Sequence, residues 1–238
     1  MGCFIPPFIG PGEHLFEQAA SIQALVGPFT VRPDGIKDDH AARQYIAQVA
    51  GIIRMVDTTF TGKALITAIR SYRKPVLIFP LVQTDDDTAV AWVYPRWGLF
   101  PVVMSFTPLF GQRLRQFLGG DEQDFERVFT PHETFAHELV HVARAVSGNY
   151  QRLGDDNEEE LAVMVANMFS VEINRPPIKS YEEMKNVTGD VAAFSRAYYK
   201  DNFEIIAAFC KQNKKLAYDL SYAKTSFNPL RMYIDENL

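Results

Sequence analysis

Between Asp39 and Val56 the apolar residues Ala42, Tyr45, Ile46, Val49, Ile52 and Ile53 recur at helical spacing, and the pattern predicts an amphipathic helix over that span. A second helix is predicted from Thr61 to Tyr72. The period then changes. Pro75–Val82, Ala89–Tyr94 and Val102–Phe106 are short, rich in Val, Ile and aromatic residues, and bounded by turn formers, which predicts three strands. Thr84-Asp85-Asp86-Asp87-Thr88 reads as a hairpin turn. It lacks the glycine and distal glutamate that a calcium loop requires. Upstream, residues 1–12 read as a Pro/Gly-rich arm, Glu13–Leu25 as a short helix and Pro28–Asp38 as a loop.

Helical spacing returns after Thr130. Thr130-Pro131-His132-Glu133 is a helix start: an N-cap threonine, a proline in the first turn and a glutamate placed to complete a capping box. Gly148 is the expected stop, because glycine takes the left-handed conformation without strain. Phe135, Leu139, Val142 and Val146 form an apolar stripe between these caps. A further helix is predicted from an N-cap at Asn157, with Glu160 as its capping-box partner, to about Phe169; Arg175-Pro176-Pro177 lies beyond its end. Residues 181–225 predict more helix, with a cap at Asp201-Asn202-Phe203-Glu204. The end, Phe227-Asn228-Pro229-Leu230-Arg231-Met232-Tyr233, is too apolar for a disordered tail.

The chemistry lies in His137-Glu138-Leu139-Val140-His141. Two histidines four apart on a helix project from one face and can close on a single Zn²⁺. Glu138, next to the first histidine, then stands beside the open coordination position as a general base. A catalytic zinc takes three protein ligands and keeps one position open. No third histidine follows at short range, and His132, five residues before His137, falls on a different part of the face; His14 and His40 are distant in sequence. A glutamate from the run Glu158-Glu159-Glu160 is the expected third ligand. Glu159 ranks first because it shares a face with the small residues Ala162, Val163 and Ala166, which permit close approach of the two helices; Glu160 ranks second. Glu158, on the face of Leu161, Val165 and Met168, ranks third. Arg231 and Tyr233 are candidates to stabilise charge on a carbonyl oxygen, with Tyr150 and Tyr222 behind them. Packing of the C-terminus competes with that role.

The segments HELVHVARAVSGNY and EEELAVMVANMFSVEINRPP, with Thr61-Gly62-Lys63-Ala64-Leu65 upstream, resemble the glutamate-ligand branch of H-E-x-x-H zinc metallopeptidases. They are similar in particular to the small zinc metalloproteases that bacterial pathogens inject into host cells. The late Arg and Tyr resemble, loosely, those of clostridial neurotoxin proteases. The resemblance implies a zinc-dependent endopeptidase with His137, His141 and a glutamate as ligands and Glu138 as base. It implies a mostly helical, zincin-like α+β domain with a small antiparallel or mixed sheet ahead of the metal helix.

Bulk properties narrow the field. With 238 residues, 47% hydrophobic and 13% aromatic, the chain has a globular composition and is expected to form one domain: an arm and short helix to residue 38, a catalytic core over 39–175 and a helical part over 176–238. A net charge of −5 with no basic block argues against nucleic acid as a partner; Lys211, Lys214 and Lys215 suit a solvated helix face. The expected partner is a protein or peptide substrate, which an edge strand beside the site, with Val102–Phe106 the candidate, would hold by backbone hydrogen bonds. No run of 18 apolar residues predicts a membrane span. Two cysteines, Cys3 and Cys210, are too few for a disulfide framework, and no ordinary secretory signal is visible. Met1-Gly2-Cys3 suggests a lipidated start, but Pro6 stands where that motif wants Ser or Thr. The expected location is the cytoplasm, or export by a specialised route without a cleaved signal. Gly62-Lys63 is not a phosphate loop, since Asp57 stands where that loop needs glycine. The rival reading is a non-catalytic or structural metal centre in a helical binding protein, marked by a closed four-ligand site; zinc hydrolysis of a non-peptide bond is a third.

Overall fold

The computed structural model describes residues 22–80, 91–94, 101–108, 130–150, 152–181 and 185–237. The fold is α+β: a five-stranded mixed sheet and eight helices among the described residues. Strands β1 (Ala24–Val26), β2 (Phe29–Val31), β3 (Val76–Phe79), β4 (Ala91–Tyr94) and β5 (Val102–Phe106) lie in the order β1-β2-β3-β5-β4. β2, β3 and β5 are parallel neighbours, and antiparallel β1 and β4 close the two sides. The helices are α1 (Asp39–Val56), α2 (Phe60–Ser71), α3 (Pro131–Ser147), α4 (Asp155–Glu172), α5 (Val191–Asp201), α6 (Phe203–Gln212), α7 (Lys214–Ser221) and α8 (Pro229–Asn237). None of them is long and apolar enough to cross a membrane.

Three expectations change here. The strand Val102–Phe106 is not an edge: β3 pairs with one side and β4 with the other, so its backbone groups are already used. β4 takes the outer position. The expected helix Glu13–Leu25 does not extend through its last residues. Ala24–Val26 is strand β1, joined to β2 by the two-residue turn Gly27-Pro28, with Gly27 at φ 62°. That turn also places Phe29-Thr30-Val31 in the sheet, inside the segment expected to be loop. The hairpin turn at 84–88, Cys3 and most of residues 13–25 lie outside the described residues.

α1 and α2 form the crossover between parallel β2 and β3. Asp38 caps α1 by accepting from the Ala41 N–H, and the Tyr45 hydroxyl donates to the Phe106 carbonyl at 3.1 Å, tying α1 to β5. Thr59 caps α2 through the Gly62 N–H. Gly62 is required by closeness rather than by φ: a Cβ there would stand 2.1 Å from the Val56 oxygen and 2.5 Å from Val56 Cγ1. Gly62→Ala must push the end of α1 away from α2, and overpacking of this kind costs about 1–3 kcal/mol. A drop of that size in urea-unfolding stability is the expected result; an unchanged midpoint would mean that the α1–α2 junction yields freely.

α3 sits at the centre of the molecule. Its Phe135 ring packs edge-on against Phe106 (5.1 Å) and Phe29 (6.1 Å), joining helix to sheet. Phe135, Leu139, Val142 and Val146 are buried as the stripe predicts, but so are Ala136, Val140 and Ala143. The helix is enclosed on several sides, because α1, α2, α4 and the sheet all pack on it. α4 is anchored at its far end by Glu172, whose carboxylate accepts from the Thr61 N–H (3.1 Å) and hydroxyl (3.1 Å) at the start of α2. One hydrophobic core runs from Phe29 to Leu230 and includes the C-terminal helices.

Candidate metal centre

The two ends of α3 form as their residues dictate. Thr130 accepts from the Glu133 N–H, Glu133 accepts from the Thr130 N–H at 2.9 Å, Pro131 stands in the first turn, and Gly148 takes φ 76° at the C-cap. Glu133 is fully buried and has a second task. Its other oxygen accepts from Ser170 Oγ (2.7 Å) and Arg175 Nε (3.1 Å), locking α3 to the end of α4. The histidine helix is therefore held at both ends and along its length.

α4 begins earlier than expected. Its first residue is Asp155 and its N-cap is Gly154, with no side-chain cap; Asn157 instead sends its amide back to the Leu153 carbonyl. Asp155 and Asp156 already suit a helix N-terminus by their charge. Glu160 is correspondingly not a capping-box partner. The three consecutive acids take three different partners. Glu158 is buried and paired with Arg144 of α3 through Arg144 Nε and Nη2, the latter at 2.7 Å from Oε1. Glu159 points at the histidines. Glu160 accepts from the Tyr198 hydroxyl (3.2 Å) and from the Tyr181 N–H (3.0 Å).

His137, His141 and Glu159 form the one group of three metal-ligating side chains found among the described residues. His137 Nε2 lies 3.1 Å from Glu159 Oε2 and 3.2 Å from His141 Nε2; His141 Nε2 lies 3.5 Å from Glu159 Oε1. Ligand atoms around one tetrahedral zinc at its usual bond lengths stand about 3.3–3.5 Å apart, so the donor set and its spacing fit such an ion. Glu159 retains 30% of its side-chain exposure, so the group opens to one side. Glu138 is buried and lies close enough to His137, His141 and Glu159 to feel their charges. Burial pushes the Glu138 carboxyl above its ordinary range, against the opposing pull of His141 and His137. Burial also disfavours ionised Glu159, but the hydrogen bonds to His137 and His141 outweigh it and hold that carboxyl well below the usual range. His141 is raised: burial works against its charge, and Glu159, Glu138 and Glu158 together win.

These shifts predict how the metal-free protein responds to pH. A raised His141 contributes stability that is complete below its ordinary 6.5 and lost as pH rises through its higher folded value. Glu138, raised by burial, acts in the same direction, beginning at its ordinary 4.5. Glu159, depressed, contributes above its ordinary 4.5 and loses that only at much lower pH. In the presence of a chelator, thermal unfolding should therefore show a falling midpoint as pH rises above 6.5. A rising midpoint would contradict the ion pairing between Glu159 and the histidines.

Two tyrosines flank the group. The Tyr150 ring stands edge-on to His141 at 5.6 Å, and its hydroxyl is pushed up by burial and by the nearby Glu159 and Glu138 charges. The Tyr181 ring stacks near His137 at 6.5 Å and is 49% exposed. Its loop is pinned by Asn167, which exchanges two 2.8 Å hydrogen bonds with the Ile178 backbone, and by Glu160. Arg231 and Tyr233 are not brought to this group. Arg231 faces Asp235 at 3.7 Å on its own exposed helix face, and Tyr233 packs against Phe203. Proline at the start of α8 turns the C-terminal segment into a helix that docks on α5, α6 and α7. Tyr222 is exposed and bonded to Tyr218. His40 contacts Gln44, and His132 is not part of the group. Asn202 does not cap α6 by its side chain; its amide bonds the Tyr198 carbonyl behind it.

Neither Tyr181 nor the Arg144–Glu158 pair follows from the residue pattern. Tyr181 carries no local signal, because a loop tyrosine is ordinary. Arg144 does carry one: a charged residue inside Val142-Ala143-Arg144-Ala145-Val146 must be buried with its neighbours and so needs an acidic partner.

No family model, curated protein or solved structure matches the chain.

Proposed function

We propose that this protein is a single-zinc endopeptidase of the H-E-x-x-H, glutamate-ligand type, with a zincin-like catalytic core. The observation that carries the reading is the convergence of three donor side chains from α3 and α4: the two imidazole Nε2 atoms stand 3.2 Å apart, with one Glu159 oxygen 3.1 Å from His137 and the other 3.5 Å from His141. His137, His141 and Glu159 would hold the ion, and zinc bound there would supply Lewis acidity toward a carbonyl and lower the pKa of a water. Glu138 takes a proton at its carboxylate and returns it to the departing amine. Its buried setting favours proton uptake, since burial already opposes its ionised form. A peptide substrate would approach from the side on which Glu159 and the Tyr181 ring are exposed. Tyr150, against His141, is better placed than Arg231 or Tyr233 to face a developing charge.

The test has two stages. Elemental analysis and anomalous scattering at the zinc edge should find one zinc per chain at the two histidines. A search for cleaved proteins, wild type against Glu138→Gln, should then yield peptide-bond products with the wild type alone. A zinc with four protein ligands and no cleavage would favour the structural-centre reading instead.

A further inference from the structure

Glu159 is only as well placed as the first turn of α4. That turn has no side-chain N-cap, since Gly154 occupies the cap position. What fixes it is the neighbouring residue. Glu158 is 3% exposed and paired at both oxygens with Arg144, which is 0% exposed. Arg144 lies three residues after His141 on α3. Successive helix residues are about 100° apart, so locking Glu158 toward α3 sets the rotation of the turn and aims Glu159 at the histidines. Arg144 also donates through Nη2 to the Asn149 carbonyl (2.8 Å) and to Gln212 of α6 (3.0 Å). Its own carbonyl accepts from the Asn149 and Tyr150 N–H groups at 2.8 and 3.2 Å. One arginine thus binds the turn carrying Glu159, the loop carrying Tyr150 and a third helix.

We infer that Arg144 and Glu158 are positioning residues for the metal: a buried ion pair that touches no ligand atom but sets where Glu159 stands relative to His137 and His141. The inference rests on the zinc reading above. A buried ion pair replaced whole by apolar residues of similar volume usually leaves a protein folded, whereas removing one partner strands a charge. The informative variant is therefore the double replacement Arg144→Met with Glu158→Leu, made in the full chain.

Zinc affinity is measured by competition with a chromophoric chelator, and metal-free stability by thermal unfolding in excess chelator. The double variant should stay folded, with a midpoint lowered by loss of the hydrogen bonds to Asn149 and Gln212, and should bind zinc about 10–100-fold more weakly, the loss typical of groups that orient ligands. Arg144→Lys keeps the charge but not the two-point contact; it should fold and show a smaller loss, and it serves if the double variant does not fold. Wild-type affinity in a folded double variant, or in folded Arg144→Lys should the double variant not fold, would overturn the inference while leaving the metal centre standing. Failure of the wild type to bind zinc would remove the metal centre itself, and the inference with it.

Discussion

Glu138→Gln is expected to abolish peptide hydrolysis while leaving zinc content and fold intact. Glutamine matches glutamate in shape but cannot accept a proton, and positioned acid–base groups contribute roughly 10²–10⁴-fold to rate. A fall of at least that size in cleavage of any substrate found for the wild type is the expected outcome. The fold should not suffer, because Glu138 is buried and burial already disfavours its charge; a neutral amide removes that penalty. Zinc should stay, since Glu138 is not one of the three side chains whose donor atoms converge. Zinc analysis, circular dichroism and a cleavage assay on the same preparation check all three points. Cleavage at the wild-type rate would show that another group takes the proton.

Glu159→Ala is expected to cost the metal. The remaining donors would be two imidazoles, His137 Nε2 and His141 Nε2, with the carboxylate that approaches them at 3.1 and 3.5 Å gone. Loss of a direct ligand should exceed the roughly 10–100-fold effect of a group that only orients one, so affinity should fall by more than about 100-fold. The chain should still fold, because Glu159 is partly exposed and the buried anchors of α4, Glu158 and apolar residues such as Leu161, Val165 and Phe169, remain. His40→Ala, on the exposed face of α1, is the control and should bind zinc as the wild type does. Chelator competition measures both. Equal zinc affinity in Glu159→Ala and wild type would place the third ligand elsewhere and remove the geometric basis of the protease reading.

The three neighbouring acids explain why part of this site was readable and part was not. Helical spacing separates Glu158, Glu159 and Glu160 by face, and the small residues beside Glu159 make it the best candidate to meet another helix. Spacing alone does not say what waits opposite each face. Arg144 opposite Glu158, and Tyr198 with Tyr181 opposite Glu160, come from α3, α5 and a loop. The same limit accounts for Val102–Phe106. Its apolar pattern marks a strand correctly, but interior or edge position depends on which strands arrive beside it, and β4 returns antiparallel to cover it. The C-terminal Arg231 and Tyr233 carry suggestive chemistry, yet α8 docks among the other C-terminal helices and keeps them with Asp235 and Phe203.

Local chemistry by itself determined α1, the capped histidine helix, strand β5 and the pairing of His137 with His141, because each follows from interactions within a few residues: turn-length hydrogen bonds, caps and the helical or extended period. Spacing ranked Glu159 first among the three acids, and tertiary structure decided that it meets the histidines, which strand is interior and what holds Arg144. Those depend on contacts between segments far apart along the chain, such as Glu133 with Arg175 or Arg144 with Gln212. Such contacts leave no periodic trace in either partner.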